Sequence, residues 1–193
     1  LVIPNFLTRY YPKGEYPFVS LNELPFEDAN RIKKAHCARN GIGFFYAEDD
    51  YLTHRREIEK WIYSQLVEKG GHPKCLVPIY MVLGESPKGE FDIRVDIQKD
   101  ACEFRIPIKM LDMRSVSFTY PDSMYQLEYD EFGSIIGGKR TNTPKVYTFD
   151  EIPELVQRYN IYGEYLHYIE AQVWDRKLLR EIWENSRNGN GAF

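Results

Sequence analysis

The hydrophobic pattern of this chain changes period part-way along its length, and that change limits the folds open to it. Residues 51–71, YLTHRREIEKWIYSQLVEKGG, repeat at helical spacing: Ile58, Trp61, Ile62 and Leu66 share one stripe, and Gly70-Gly71 supplies the stop. From residue 77 the period falls to 2. VPIYMVLG (77–84) is a near-continuous apolar run ending at Gly84, which suits a buried strand. FDIRVDI (91–97) alternates, with Phe91, Ile93, Val95 and Ile97 on one side and Asp92, Arg94 and Asp96 on the other. CEFRI (102–106) repeats the alternation after a short QKDA loop, so the two runs are expected to form a hairpin with one wet face. SVSFT (115–119) follows as another strand. The sheet is thus expected to hold 91–97, 102–106, 115–119 and 166–174.

Both flanks of this region read differently. The first 21 residues, LVIPNFLTRYYPKGEYPFVSL, mix a short apolar–aromatic strand with turns marked by Pro and Gly. A helix is expected from Pro25 to about Ala38, with Pro in the first turn and Gly41 beyond the end. EYDEFGSIIGGKRTNTP (128–144) has the residues of a mobile loop, and KVYT (145–148) those of a short strand. TFDEIPELVQRY (148–159) is a helix opened by a Thr148–Glu151 capping box. EYLHYIEAQVW (164–174) is a long strand, and DRKLLREIWENS (175–186) a helix with Leu178, Leu179, Ile182 and Trp183 on one side. A frayed tail begins at about residue 187. With no repeat and no linker, residues 1–193 read as a single α+β domain, a mostly antiparallel and split sheet flanked by helices.

Composition narrows the function classes. Hydrophobic residues make up 43% and aromatics 15%, with 15 Tyr, which is globular rather than disordered. A net charge of −4 gives no global attraction to nucleic acid or to anionic membrane. No apolar run approaches the length of a membrane helix, and the start lacks the basic-then-apolar pattern of a secretory leader. Cys37, Cys75 and Cys102 are odd in number and scattered, which suits the reducing cytoplasm. The His72/Cys75 and His36/Cys37 pairs do not make the four clustered ligands of a zinc site, so no metal is expected.

Three polar constellations fall on expected strands. Arg9 is a cation inside the apolar–aromatic run FLTRYY. Ser115, Ser117 and Thr119 give SVSFT one face made wholly of hydroxyls, with Asp122 and Ser123 just beyond. In YIEAQVW, Glu170 and Gln172 share a face with Tyr168 and Trp174. A carboxylate among aromatics on such a strand is costly unless paired or functional. The plainer reading is a solvated sheet face with an arginine in a salt bridge. Asp92/Asp96 and the basic THRRE run are weaker signals, and no GxSxG, GxGxxG or Walker A pattern occurs.

The order of LTRYY, SVSFTYPDS and YIEAQVW resembles the ADP-ribosyltransferase superfamily, in particular its DarT-like group. The resemblance implies a bacterial, cytoplasmic enzyme with a split antiparallel sheet and NAD, as substrate, bound between its halves. Arg9 would then contact a ribose or phosphate. Ser117, Thr119 and Gln172 would shape the nicotinamide pocket, and Tyr10, Tyr11 or Tyr168 would stack on the ring. Glu170 would accept from a ribose hydroxyl and stabilise the cationic state as nicotinamide leaves. The acceptor, protein or nucleic acid, is not implied. Position 172 carries Gln rather than a second Glu, so an arginine acceptor is not implied either. The alternative from a different class is a non-enzymatic module whose tyrosines hold a protein or a single-stranded nucleic acid.

Overall fold

A five-stranded antiparallel sheet in the order β3-β1-β2-β5-β4 forms the centre of the molecule. The computed structural model describes residues 2–40, 50–89, 92–97, 101–124, 145–159, 161 and 167–188. Its strands are β1 (Phe6–Pro12), β2 (Ile79–Leu83), β3 (Ala101–Pro107), β4 (Val116–Thr119) and β5 (Glu170–Val173). The helices among these residues are α1 (Phe26–Asn40), α2 (Tyr51–Glu68), α3 (Ile93–Ile97), α4 (Ile152–Tyr159) and α5 (Arg176–Arg187). The expected α+β class and antiparallel sheet are present.

Period 2 assigns each strand a face, and each face has its own helices. Leu7, Met81, Leu83, Ile106, Ala171, Val173, Val116 and Phe118 share one face and pack against Ile152, Leu155 and Val156 of α4 and Leu179 and Ile182 of α5. The opposite face carries Ser117 beside Gln172 and Thr119 beside Glu170, which in turn lie beside Tyr80 and Val82. Helix α2 covers this second face, with Ile58, Ile62 and Leu66 packed on Trp174. Both faces are therefore buried, and the hydroxyls of SVSFT do not face water: Ser115, Ser117 and Thr119 are each no more than 1% exposed.

The helix ends follow their sequence signals. Gly70, at φ +81°, is the left-handed residue that closes α2. Its N–H bonds to Val67 O, and that of Gly71 to Leu66 O, the paired bonds of a Schellman stop. A Cβ on Gly71 would sit 2.4 Å from Leu66 Cγ, so the close approach needs glycine there as well. The Thr148–Glu151 capping box is formed and leads through a 3-10 turn into α4. Asp175 caps α5 by accepting from Leu178 N at 3.1 Å.

Three expectations need correction. Residues 93–97 are helical, not a strand, and the hairpin between 91–97 and 102–106 does not form; Phe91 lies outside the described residues. Polar side chains explain the change. Ser86 Oγ accepts from Ile93 N at 3.0 Å, and Asp92 Oδ1 from Arg94 N at 3.0 Å, so the first helical N–H groups find partners. Val95, which the alternation would bury, is 73% exposed. Strand β3 pairs instead with β1, over the full run Phe6–Pro107 to Pro12–Ala101. The long strand expected at 164–174 is shorter: only Glu170–Val173 is strand, 167–169 are irregular, and 162–166 lie outside the described residues. Of KVYT, Tyr147 alone pairs, through an isolated bridge to Phe118. The loop at 128–144 lies outside the described residues.

The join between β1 and β2 is narrow. Leu7 pairs with Leu83 and Thr8 with Val82, after which Arg9 reaches across by its side chain to Tyr80 O at 2.9 Å.

Candidate functional site

Pairing of β4 with β5 brings Ser117, Thr119, Glu170 and Gln172 together beneath α2, and one hydrogen-bond chain joins them. Trp174 Nε1 donates to Ser117 Oγ at 2.9 Å, and Ser117 Oγ donates to Gln172 Oε1 at 2.8 Å. Gln172 Nε2 donates to Thr119 Oγ1 and to Glu170 Oε2, both at 3.0 Å. Thr119 Oγ1 and Ser123 N also donate to Glu170 Oε2, at 3.2 and 2.9 Å. Every donor runs toward Glu170. The amide of Gln172 has one workable orientation, because its flipped form would set two oxygens against each other at Glu170.

The two oxygens of Glu170 therefore differ. Oε2 takes three hydrogen bonds, whereas Oε1 faces Arg55 Nη2 at 3.5 Å. Arg55 also donates to Ser123 Oγ at 2.9 Å and stacks on the Tyr80 ring at 3.6 Å. Burial opposes the Arg55 charge, but Tyr80, Tyr51, Glu170 and Glu59 outweigh it and raise its pKa well above the ordinary value. Burial also raises Tyr80 strongly, against the pull of Arg55. The Arg55 guanidinium is thus a fixed cation between Glu170 and an un-ionised tyrosine.

One turn further along α2, Glu59 is 3% exposed. Burial raises its pKa, against Arg55, Asn22, Tyr80 and Arg56, which all pull it down. Asn22 and Tyr80 are its hydrogen-bonding neighbours, although Glu59 Oε1, the Tyr80 hydroxyl and Asn22 Oδ1 make no bond of strict geometry among the described residues. The Tyr80 hydroxyl and the Asn22 amide both carry hydrogens, so a small turn of either side chain satisfies the Glu59 carboxyl in place.

Arg9 lies on the far side of Tyr80. Its Nε donates to Pro17 O at 2.8 Å and its Nη1 to Tyr80 O, so its partners are carbonyls rather than a carboxylate. Burial, then the Arg176 and Arg55 cations, lower it to about 10. Burial likewise brings Arg176 to about 10; its Nη1 pairs with Glu23, while its Nε and Nη2 have no partner among the described residues. Positive charge is concentrated where Arg55 and Arg176 lie within electrostatic reach of Arg9.

The other expected ring-stacking residues are dispersed. Tyr10 accepts from Ser86 N at 2.9 Å. Tyr11 meets Trp183 edge-on on the opposite sheet face. Tyr168 is half-buried in the segment leading into β5. Among the described tyrosines Tyr16 alone is exposed, at 38%, so these side chains do not make a flat outer platform.

Tyr80 and Glu59 were not singled out from the sequence, and Arg55 only within the basic THRRE run, although a signal existed. Positions 55, 58, 59, 62 and 66 continue the apolar stripe of α2, so Arg55 and Glu59 are charges on its buried side. A cavity of ≈ 330 Å³ lies elsewhere, lined by Pro4, Phe6, Gly84, Glu85, Ser86, Pro87, Lys88 and Arg94. No unpartnered buried atom among the described residues belongs to its walls, so the chemistry is assigned to the seam beneath α2. Among the described residues no group of three His, Cys, Asp or Glu side chains is placed to hold a metal ion. No described helix is long and apolar enough to cross a membrane. No family model, no curated protein and no solved structure matches the chain.

Proposed function

We propose that this chain is a cytoplasmic ADP-ribosyltransferase-like enzyme that takes NAD as substrate, with Glu170 as its central carboxylate. The observation that carries this reading is the asymmetry of Glu170: Oε2 is anchored by three donors, and Oε1 is held only by Arg55 at 3.5 Å. A ribose hydroxyl that displaces Arg55 would find an oriented acceptor that needs no reorganisation. The same carboxylate would stabilise the cationic sugar as the bond to nicotinamide breaks. Ser117, Thr119 and Gln172 act as positioning residues, because their hydrogen bonds end on Glu170 or on each other. Arg9 and Arg176, whose cations lie near one another, would meet the diphosphate. The free thiols of Cys37, Cys75 and Cys102 suit a reducing compartment.

The test combines binding with turnover. NAD at 100 times its dissociation constant should stabilise the fold by about 2.7 kcal/mol in a thermal or denaturant melt. Nicotinamide should be released from labelled NAD, and Glu170→Gln should lower that release by about 10²–10³-fold with NAD binding retained. Arg9→Ala should act the other way, weakening binding more than turnover, because its contact already exists in the ground state. A wild-type chain that neither binds NAD nor releases nicotinamide would end this reading and favour a non-enzymatic module for a protein or a single-stranded nucleic acid.

A further inference from the structure

The sheet ends at β3 on one side and at β4 on the other, and the two edges differ. At the β4 edge the backbone of Phe118 is met by Tyr147, through N–H···O bonds of 2.9 and 2.8 Å in the two directions. The β3 edge has no such cover among the described residues. Its hydrogen-bond phase follows from Ile108 N, which donates to Asn5 O at 2.9 Å and so marks a bonded pair at the end of the β1/β3 ladder. Bonded pairs alternate along an antiparallel ladder. Cys102, Phe104 and Ile106 therefore turn their backbone groups to β1, and Ala101, Glu103 and Arg105 turn theirs outward. Pro107, the next outward position, has a carbonyl but no N–H. The Glu103 and Arg105 side chains stand on one face of the strand and are 42% and 43% exposed.

We infer that this edge pairs with the β3 edge of a second copy of the chain, antiparallel about a two-fold axis at Phe104, so that one sheet runs through both copies. Hydrogen-bond phase and charge select the same register. An axis at Phe104 sets Glu103 opposite the partner's Arg105, and Arg105 opposite the partner's Glu103. These are outward positions, so each pair exchanges both of its N–H···O bonds. Ala101 N–H then meets the carbonyl of the partner's Pro107, and the absent proline N–H falls at the end of the ladder. Moving the axis to Glu103 sets glutamate against glutamate, and moving it to Arg105 sets arginine against arginine. Like charges directly opposite one another resist pairing. On the other face Phe104 meets its own copy at a non-bonded position, where side chains come closest. Phe104 already lies edge-on to Trp183 at 5.0 Å and to Phe18 at 5.9 Å, so the aromatic cluster continues across the axis. Charges on an edge strand ordinarily guard it against pairing. Here they have opposite signs at a spacing that turns the guard into a match for a second copy.

Two charge reversals in the full chain test the register. Glu103→Arg gives a chain with arginine at both positions, and Arg105→Glu one with glutamate at both. Association is followed by sedimentation over a concentration series, and the edge itself by amide hydrogen exchange. The wild type should dimerise, with slowed exchange at the Glu103 and Arg105 N–H groups that is lost on dilution. The Phe104 and Ile106 N–H groups, bonded to β1, should stay protected at every concentration, in the variants as in the wild type. Each single variant should raise the dimer Kd about 10-fold or more, because both symmetric pairs become repulsive. An equimolar mixture of the two variants should recover the dimer, since every arginine then faces a glutamate. A wild type that stays monomeric throughout would overturn the inference. So would Glu103 and Arg105 amides that remain protected at the highest dilution, which would favour a cover supplied by the same chain. A dimer that neither reversal weakens, or a mixture that does not recover it, would place the contact between copies elsewhere on the surface.

Discussion

Replacing Arg55 by Met keeps most of the stem that lies on Tyr80 and deletes the cation that faces Glu170. Both partners are largely out of water, with side chains 12% and 7% exposed. Removing one partner of a buried pair typically costs about 3–5 kcal/mol, because the other charge is left uncompensated. The stacking contact at 3.6 Å adds to the loss, since a desolvated cation over an aromatic ring contributes about 2 kcal/mol. Two facts work in the opposite direction. Three donors remain on Glu170 Oε2, and the 3.5 Å separation at Oε1 is longer than a direct hydrogen bond. The expected net cost for Arg55→Met is therefore about 3–5 kcal/mol, read as a lower urea midpoint with an unchanged slope. Combining Arg55→Met with Glu170→Gln removes both charges, so the double variant should be less destabilised than the sum of the singles by at least about 1 kcal/mol. A loss below about 1 kcal/mol for Arg55→Met, or strict additivity in the cycle, would refute the claim that Glu170 and Arg55 form a desolvated pair.

Other perturbations test separate parts of the seam. Ser117→Ala leaves Trp174 Nε1 without an acceptor and Gln172 Oε1 without a donor, and should cost about 1–3 kcal/mol in the same urea melts. Glu59 holds its proton more tightly in the folded chain than at the ordinary value of 4.5, so its burial penalty is absent below that pH and grows as pH rises toward the raised folded value. Glu59→Gln should therefore gain stability relative to wild type across that window and match it at lower pH, as followed by melts in a pH series. Asp175→Ala removes the cap of α5 and should cost about 1 kcal/mol by thermal denaturation.

Much of the fold was legible because its punctuation is local. Gly70-Gly71, Thr148 with Glu151, and Asp175 each satisfy backbone groups within a few residues, so the chain itself names the ends of α2, the start of α4 and the start of α5. The misreading of 91–97 came from period alone. Alternation requires a buried side, and Val95 has none, while Asp92 and Ser86 supply two helix-starting acceptors that outweigh it. In the candidate site, Ser117 and Thr119 were readable as one face, as were Glu170 and Gln172, because period 2 holds within each strand. That these faces meet depends on β4–β5 pairing across about fifty residues, which no local pattern encodes. Arg55 was read only as part of a basic run and Glu59 not at all, because a charge on a helix is ordinarily read as solvent-facing, although their spacing put them on the apolar stripe.

The buried hydroxyl face makes more sense once its covering helix is counted with it. Toward its C-terminal end, α2 lays Ile58, Ile62 and Leu66 on Trp174, which is ordinary core packing. On the same stripe it lays Arg55 against Glu170, Ser123 and the Tyr80 ring, and Glu59 beside Tyr80 and Asn22. An apolar filling of the same volume would have been at least as stable, so stability alone does not account for these residues. A polar network in low dielectric is worth keeping only if its members are satisfied. This one is satisfied at Glu170 Oε2 by three donors and balanced at Glu170 Oε1 by the Arg55 guanidinium. The three donors fix the orientation of the carboxylate, and the cation at its other oxygen keeps it charged out of water, so the network specifies a geometry that an apolar filling would not.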